Sequence, residues 1–282
     1  MPRPAAGTVR DLPSFLAGPA RRYWAALGLE PWATTGSRTW GKRRSRRLSA
    51  ELLEDRRLMA GMTFDSVIVA SSGDTGGVYT SSTTVDPAGN IYMGGYFRGV
   101  ADFDLAATHP GNADVLVARG YGDGFVAKYD RNHVLQWVRQ IGGDSGQSVT
   151  DDQVRDIEAT ASGAVYITGA FSLDADFGGI SRSSQGARDA FVAKLDSDGN
   201  FLWVNAWGGP QTDRAWDIAL GRDEQITAVG FTANTTPSQL YMRQFDKDGN
   251  LNWAHEQFSA SDSANFGDLH TADDGSIYSL GV

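Results

Sequence analysis

The stretch "DAFVAKLDSDGNFLWVNAWGG", Asp189 to Gly209, sets two apolar runs on either side of an acidic turn. In the first run Phe191, Ala193 and Leu195 alternate with Val192, Lys194 and Asp196. A period of two sends successive side chains to opposite faces of an extended strand. The second run, Phe201 to Trp207, follows the loop "DSDGN". Two β-rich runs joined by a short Asp/Gly/Asn loop make a hairpin.

The pattern recurs. Residues 124–143 read "GFVAKYDRNHVLQWVRQIGG" and residues 240–253 read "LYMRQFDKDGNLNW". Phe125, Phe191 and Tyr241 correspond, as do Trp137, Trp203 and Trp253, at intervals of 66 and 50 residues. A second hairpin alternates with the first, as in "DIALGRDEQITAVGFT" (Asp217 to Thr232), where a polar turn at Gly221 to Glu224 separates two strands. Its glycines Gly95, Gly169, Gly230 and Gly281 lie 74, 61 and 51 residues apart. Self-similarity at this scale signals a repeat architecture, here four antiparallel strands per repeat with no helix between copies. A small sheet cannot bury both of its faces alone, so neighbouring sheets must stack. These features predict an all-β fold, a β-propeller of tandem four-stranded blades. Seven hairpins, with one further strand over Met62 to Ser71, amount to 3.5 to 4 blades, a partial ring or a fragment. The three matching tryptophans are expected to pack between blades. Each buried aromatic covers roughly 150–250 Å², worth at most about 4–6 kcal/mol.

Charge divides the 282-residue chain. Residues 1–60 hold twelve Lys/Arg against five Asp/Glu, residues 61–282 thirteen against twenty-nine, and the total is −9. An acidic body is a poor partner for phosphate backbones, so no nucleic-acid binding is expected of it. The run "GKRRSRR" (Gly41 to Arg47) is read as a solvated or processed tail. Residues 1–61 thus form a basic leader, largely disordered or short-helical, and residues 62–282 the repeats. The longest apolar stretch of the leader, Tyr23 to Leu29, is too short to span a bilayer. The absence of cysteine excludes disulfides, thiolate metal sites and thiol nucleophiles.

Two resemblances follow from these residues. "DAFVAKLDSDGNFLWVNAWGG…DRAWDIALGRDEQITAVGFT" resembles the SBBP repeat, a β-propeller repeat of bacterial proteins, over about residues 63–282. The third copy departs from it, with Met242-Arg243-Gln244 in place of Val-Ala-Lys and no Gly-Gly after its Trp. "LEDRRLMA" (Leu53 to Ala60) is similar to the LEPR-XLL motif of large bacterial surface proteins, departing from it at Asp55 and Met59. Together they imply an exported or cell-surface protein. The insertions with "ADFD" (Ala101 to Asp104) and "ADFG" (Ala175 to Gly178) are read as outer-rim loops.

Several segments carry the letters of a functional site. Asp196 to Asn200 and Asp246 to Asn250 begin like calcium loops but lack the twelve-residue span and closing Glu of that motif. The matching turn at Asp130 reads "DRNH", so the shared feature is turn geometry, with Asp bonding backbone and Gly or Asn taking positive φ. "GDSG" (Gly143 to Gly146) has the letters of a serine-protease motif, but no histidine among His109, His133, His255 and His270 stands in a triad pattern. "GYGDG" (Gly120 to Gly124) is read as a linker, because no helix follows to present its N-terminus to phosphate. Asp102/Asp104 and Asp174/Asp176 are paired acids in insertions. Carboxylates Asp102, Asp156, Asp176 and Asp217 would have to converge for a glycosidase.

The sequence therefore predicts a non-catalytic scaffold or binding platform with no catalytic, cofactor-binding or metal residues. Its partner would be a protein or carbohydrate held on one loop rim, with the Phe97–Gly124 and Phe171–Asp189 segments as candidates. A carbohydrate-active hydrolase or lyase and a calcium-dependent adhesin are the alternatives.

Overall fold

A computed structural model of the chain describes residues 70–71, 76–104, 114–143, 151–233, 239–258, 266–272 and 274–281. The leader, with its LEPR-XLL-like segment, lies outside the described residues. The described residues form strands and turns, with one 3₁₀ turn at Arg222–Glu224.

Strand β1 (Ala70–Ser71) precedes the hairpin of β2 (Gly77–Val85) and β3 (Ile91–Arg98). The short strands β4 (Val100–Asp102) and β5 (Val115–Val117) lead to the hairpin of β6 (Asp123–Tyr129) and β7 (Leu135–Gly142). Next come β8 (Gln153–Ala159) and β9 (Val165–Phe171), then β10 (Asp174–Phe177) and β11 (Ile180–Ser183), then β12 (Asp189–Leu195) and β13 (Phe201–Trp207). The hairpins β14 (Asp213–Leu220) with β15 (Ile226–Thr232) and β16 (Gln239–Phe245) with β17 (Leu251–Phe258) follow. Last come β18 (Phe266–Thr271) and β19 (Ile277–Gly281).

Three antiparallel meanders result: β2-β3-β6-β7 (sheet 1), β8-β9-β12-β13 (sheet 2) and β14-β15-β16-β17 (sheet 3), with β18-β19 forming a two-stranded sheet. The seven consecutive hairpins are those the sequence spacing predicts. Both faces of the sheets are buried. Phe191, Ala193 and Leu195 join Tyr92, Val126 and Trp137 of sheet 1 in one core, while Ala190 and Val192 join Tyr241 and Phe245 of sheet 3 in another. Leu269 of β18 packs on Ala219 and Val229 of sheet 3. The first strands stack in turn, β8 against β2 and β14, and β14 against β18.

Each first strand carries a one-residue bulge, after Thr80, Val154, Ala215 and Phe266. The recurrent glycine of the second strand lies opposite it. A Cβ on Gly95, Gly169 or Gly230 would collide with the carbonyl oxygen of Tyr79, Gln153 or Arg214. Close backbone approach at a bulge accounts for this glycine.

The insertions correct the expectation of outer-rim loops. Both copies contain strand, Ala101-Asp102 in β4 and Asp174–Phe177 as β10: β10 pairs with β7 of sheet 1 and with β11, so the hairpin of the second repeat extends the sheet of the first to six strands. β4 likewise pairs with β1 and β5. Four residues are too few for periodicity to show, but their alternation is clear once placed. Ala101 and Phe103, like Ala175 and Phe177, are buried. Phe177 lies between Phe171 (5.7 Å) and Phe191 (5.0 Å), and Phe103 between Phe97 (6.1 Å) and Phe125 (4.8 Å). In the "GYGDG" linker, Asp123 and Gly124 already belong to β6.

Candidate functional site

The acidic turn is a self-contained knot of hydrogen bonds. Asp196 Oδ1 accepts the N–H groups of Asp198 (2.9 Å) and Asn200 (2.8 Å), and Oδ2 accepts Asn200 Nδ2 (2.9 Å). Asp246 repeats the three bonds with Asp248 and Asn250. The Asn250 side chain and backbone hold Asp246 below the usual carboxylate range. Gly199 (φ 80°) and Gly249 (φ 87°) supply the left-handed residue, and His133 takes the same place with φ 66°. His133 is a turn residue.

The carbonyls on the other side of the turn receive the preceding sheet. Trp137 Nε1 donates to Ser197 O (3.0 Å), Lys128 Nζ to the same oxygen (3.1 Å), and Arg139 to the carbonyls of Asp198 (2.7 Å) and Gly199 (2.9 Å). One repeat later Trp203 Nε1 donates to Lys247 O (3.1 Å), Lys194 Nζ to the same oxygen (3.2 Å), and Asn205 Nδ2 to Gly249 O. A Cβ on Gly199 would come within 2.7 Å of the Trp137 ring, and one on Gly249 within 2.8 Å of Trp203. The turn is a seat for the neighbouring indole. Trp253 is half-buried, its ring 5.2 Å from that of His255. Both carboxylate oxygens of Asp196 and of Asp246 thus accept N–H groups of their own turn. Among the described residues no group of three His, Asp or Glu is placed to hold a metal ion.

Of the four carboxylates named from sequence, the structure brings two together. Asp102 accepts the N–H of Asp104 (3.0 Å), and Asp176 accepts that of Gly179 (2.7 Å) and lies 3.5 Å from Arg119. Asp174 accepts a hydrogen bond from Ser183. Asp156 and Asp217 do meet, on the first strands of sheets 2 and 3. Both accept the N–H of Ile218, at 3.0 Å. Asp156 also accepts Ser82 Oγ from sheet 1 (2.7 Å), and Asp217 accepts Leu269 N from β18 (2.6 Å). The aspartates of β8 and β14 thus each accept a backbone N–H just past the bulge of the next first strand. Burial, with the adjacent Asp156 carboxyl, pushes Asp217 up to about 8, and burial pushes nearby Glu158 up to about 7. A raised carboxyl can act as a proton donor, but both oxygens of this one bond backbone.

Sequence reasoning missed a basic cluster on the same strands, beginning at the residues next to these carboxylates. Arg155 and Trp216 are the bulged residues of β8 and β14, Arg214 precedes Trp216 by two, and Arg188 lies just before β12. The Arg155 guanidinium sits 4.6 Å over the Trp216 ring, with Arg214 at 5.8 Å. No motif marks these residues, because they come from different strands of two sheets and only Asp-x-x-x-Asp-Ile spacing recurs around them. A bulge turns a side chain out of the strand's alternation, so period-two reasoning misplaces it.

Ser145 of "GDSG" and His109 lie outside the described residues. His255 and His270 are exposed on β17 and β18. No helix among the described residues is long and apolar enough to cross a membrane. No protein-family model matches the chain, and no curated protein matches it.

Proposed function

We propose that the stacked sheets are blades of an SBBP-type β-propeller and that the chain is a non-catalytic scaffold or binding platform of an exported or cell-surface protein. One observation carries this reading: the recurrent residues that might have held chemistry are used in joining sheet to sheet. The Asp-rich turn seats an indole, its Asp bonds its own backbone, and the Asp of β8 or β14 accepts a backbone N–H just past the next bulge. Stacking of the first strands one on the next in chain order supports a radial arrangement about an axis.

A second reading, a carbohydrate-active hydrolase, is favoured by the meeting of Asp156 with the raised Asp217. Release of reducing ends from a panel of neutral and acidic polysaccharides discriminates the two. The scaffold reading expects no turnover by the chain. Turnover abolished by Asp217→Asn while the fold persists would establish the enzyme instead.

A further inference from the structure

The basic cluster is anomalous in an acidic body. Arg155 and Arg214 are half-buried and Arg188 is only 7% exposed, yet none of the three forms an ion pair or side-chain hydrogen bond with another described residue. Their Nε atoms, and Trp216 Nε1, are buried without partners. The carboxylates at hand are engaged elsewhere. Asp151 is gripped by Arg98 through two bonds (2.8 and 2.7 Å), and Asp152 accepts Ser172 N (2.8 Å) and Oγ (3.2 Å). Burial pushes Asp152 up to about 7, which further reduces the negative charge there. Burial and the neighbouring Arg214 lower both Arg155 and Arg188. Three like charges drawn together in a desolvated place, with donors unmet, are costly unless a counter-charge joins them.

We propose that Arg155, Arg188 and Arg214, with the Trp216 ring as a plate, form a binding site for a single oxyanion group on a small ligand. This rests on the platform reading above and names the chemistry of its ligand. Guanidinium groups match carboxylate, sulfate and phosphate oxygens in bidentate fashion. Trp216 is itself stacked on Phe231, at 5.9 Å and 22°, and lies under the Arg155 guanidinium at 4.6 Å, so the rings hold that cation in place. Unmet guanidinium donors held in this way suit the acid group of an acidic sugar. A long polyanion is disfavoured, because residues 61–282 carry twenty-nine acidic against thirteen basic residues.

The test is thermal unfolding and calorimetric titration of the full chain at constant ionic strength, against inorganic phosphate, sulfate, glucuronate and polygalacturonate, with sodium chloride as control. Saturable stabilisation by at least one of the first three is expected, with Arg214→Gln or Arg155→Gln weakening it about tenfold or more. Each variant should also melt higher than the parent without ligand, because repulsion is relieved. If glucuronate alone binds, the ligand is a sugar acid; if phosphate and sulfate bind equally, the site reads charge only. No effect beyond chloride, or binding undiminished in both variants, overturns the site and leaves the scaffold intact. Hydrolysis of a bound saccharide would instead overturn the non-catalytic reading and leave the site.

Discussion

The contact between sheets 1 and 2 and that between sheets 2 and 3 share one device and differ in another. In both, an indole and its basic or amide neighbour settle on the turn of the following sheet. Only the first contact has a strap, β10-β11, which adds to the edge of sheet 1 and drives Phe177 into the core. In the third repeat the second strand reaches the third through residues 233–238 alone, too few for such a hairpin. Trp207, at the place of Ile141, then packs on Tyr241 (5.5 Å) and Phe245 (5.7 Å). A cavity of about 270 Å³ remains beside it, lined by Trp207, Asp213, Gln239, Tyr241 and Arg243 among others. The seat is thus the repeat's common coupling, while the strap is a local lock.

The largest effect should come from breaking the lock. Phe177→Ala removes a fully buried ring and is expected to cost about 3–5 kcal/mol in denaturant unfolding. A cost under about 0.5 kcal/mol, typical of surface positions, would return the insertion to the status of a loop. Breaking the seat comes next. Gly199→Ala forces a Cβ toward Trp137 at φ 80° and should cost about 2–4 kcal/mol, whereas Gly275→Ala, at φ 88° with open space, should cost only about 1–2 kcal/mol. Equal costs would mean that the indole is irrelevant.

The first strands of the sheets sharpen the comparison through pH. Asp217 holds its proton more tightly folded than unfolded, so the folded form carries the extra proton between about pH 4 and 8. Its contribution is full below the unfolded value and fades as pH rises toward 8. Melting curves should therefore fall over that window, and Asp217→Asn should flatten the fall. A parent curve that rises over the window would contradict the assignment. The smallest effect is a gain: His133→Gly relieves a non-glycine residue at φ 66° and should stabilise by about 0.5–1 kcal/mol in the same denaturant titration. A loss would show that the His133 side chain contributes more than its strain costs.

The hairpins and turns were legible because each is local. Alternation, Asp at the turn's start and Gly at its left-handed position lie within a dozen residues. The partners of the motif were not, since Trp137 meets Ser197 sixty residues on. The departures of the third copy do become intelligible together. Asp189 faces Gly208 across the ladder, with no room for a Cβ there, while in the third copy Gln239 pairs with Phe258, so the aspartate and the glycine vanish as a pair. Gln244, at the place of Lys128 and Lys194, turns inward to Thr227 (3.2 Å). The basic cluster was invisible for the opposite reason. Its members share no motif, and two of them, Arg155 and Trp216, sit at bulges outside the period-two alternation.

The most direct test of the seat is a double-mutant cycle joining Trp137→Leu and Gly199→Ala, followed by denaturant unfolding. If the turn receives the indole, Gly199→Ala should cost at least about 1 kcal/mol less once Trp137 is gone, because only backbone strain remains. Costs that add to within about 0.5 kcal/mol would contradict the account.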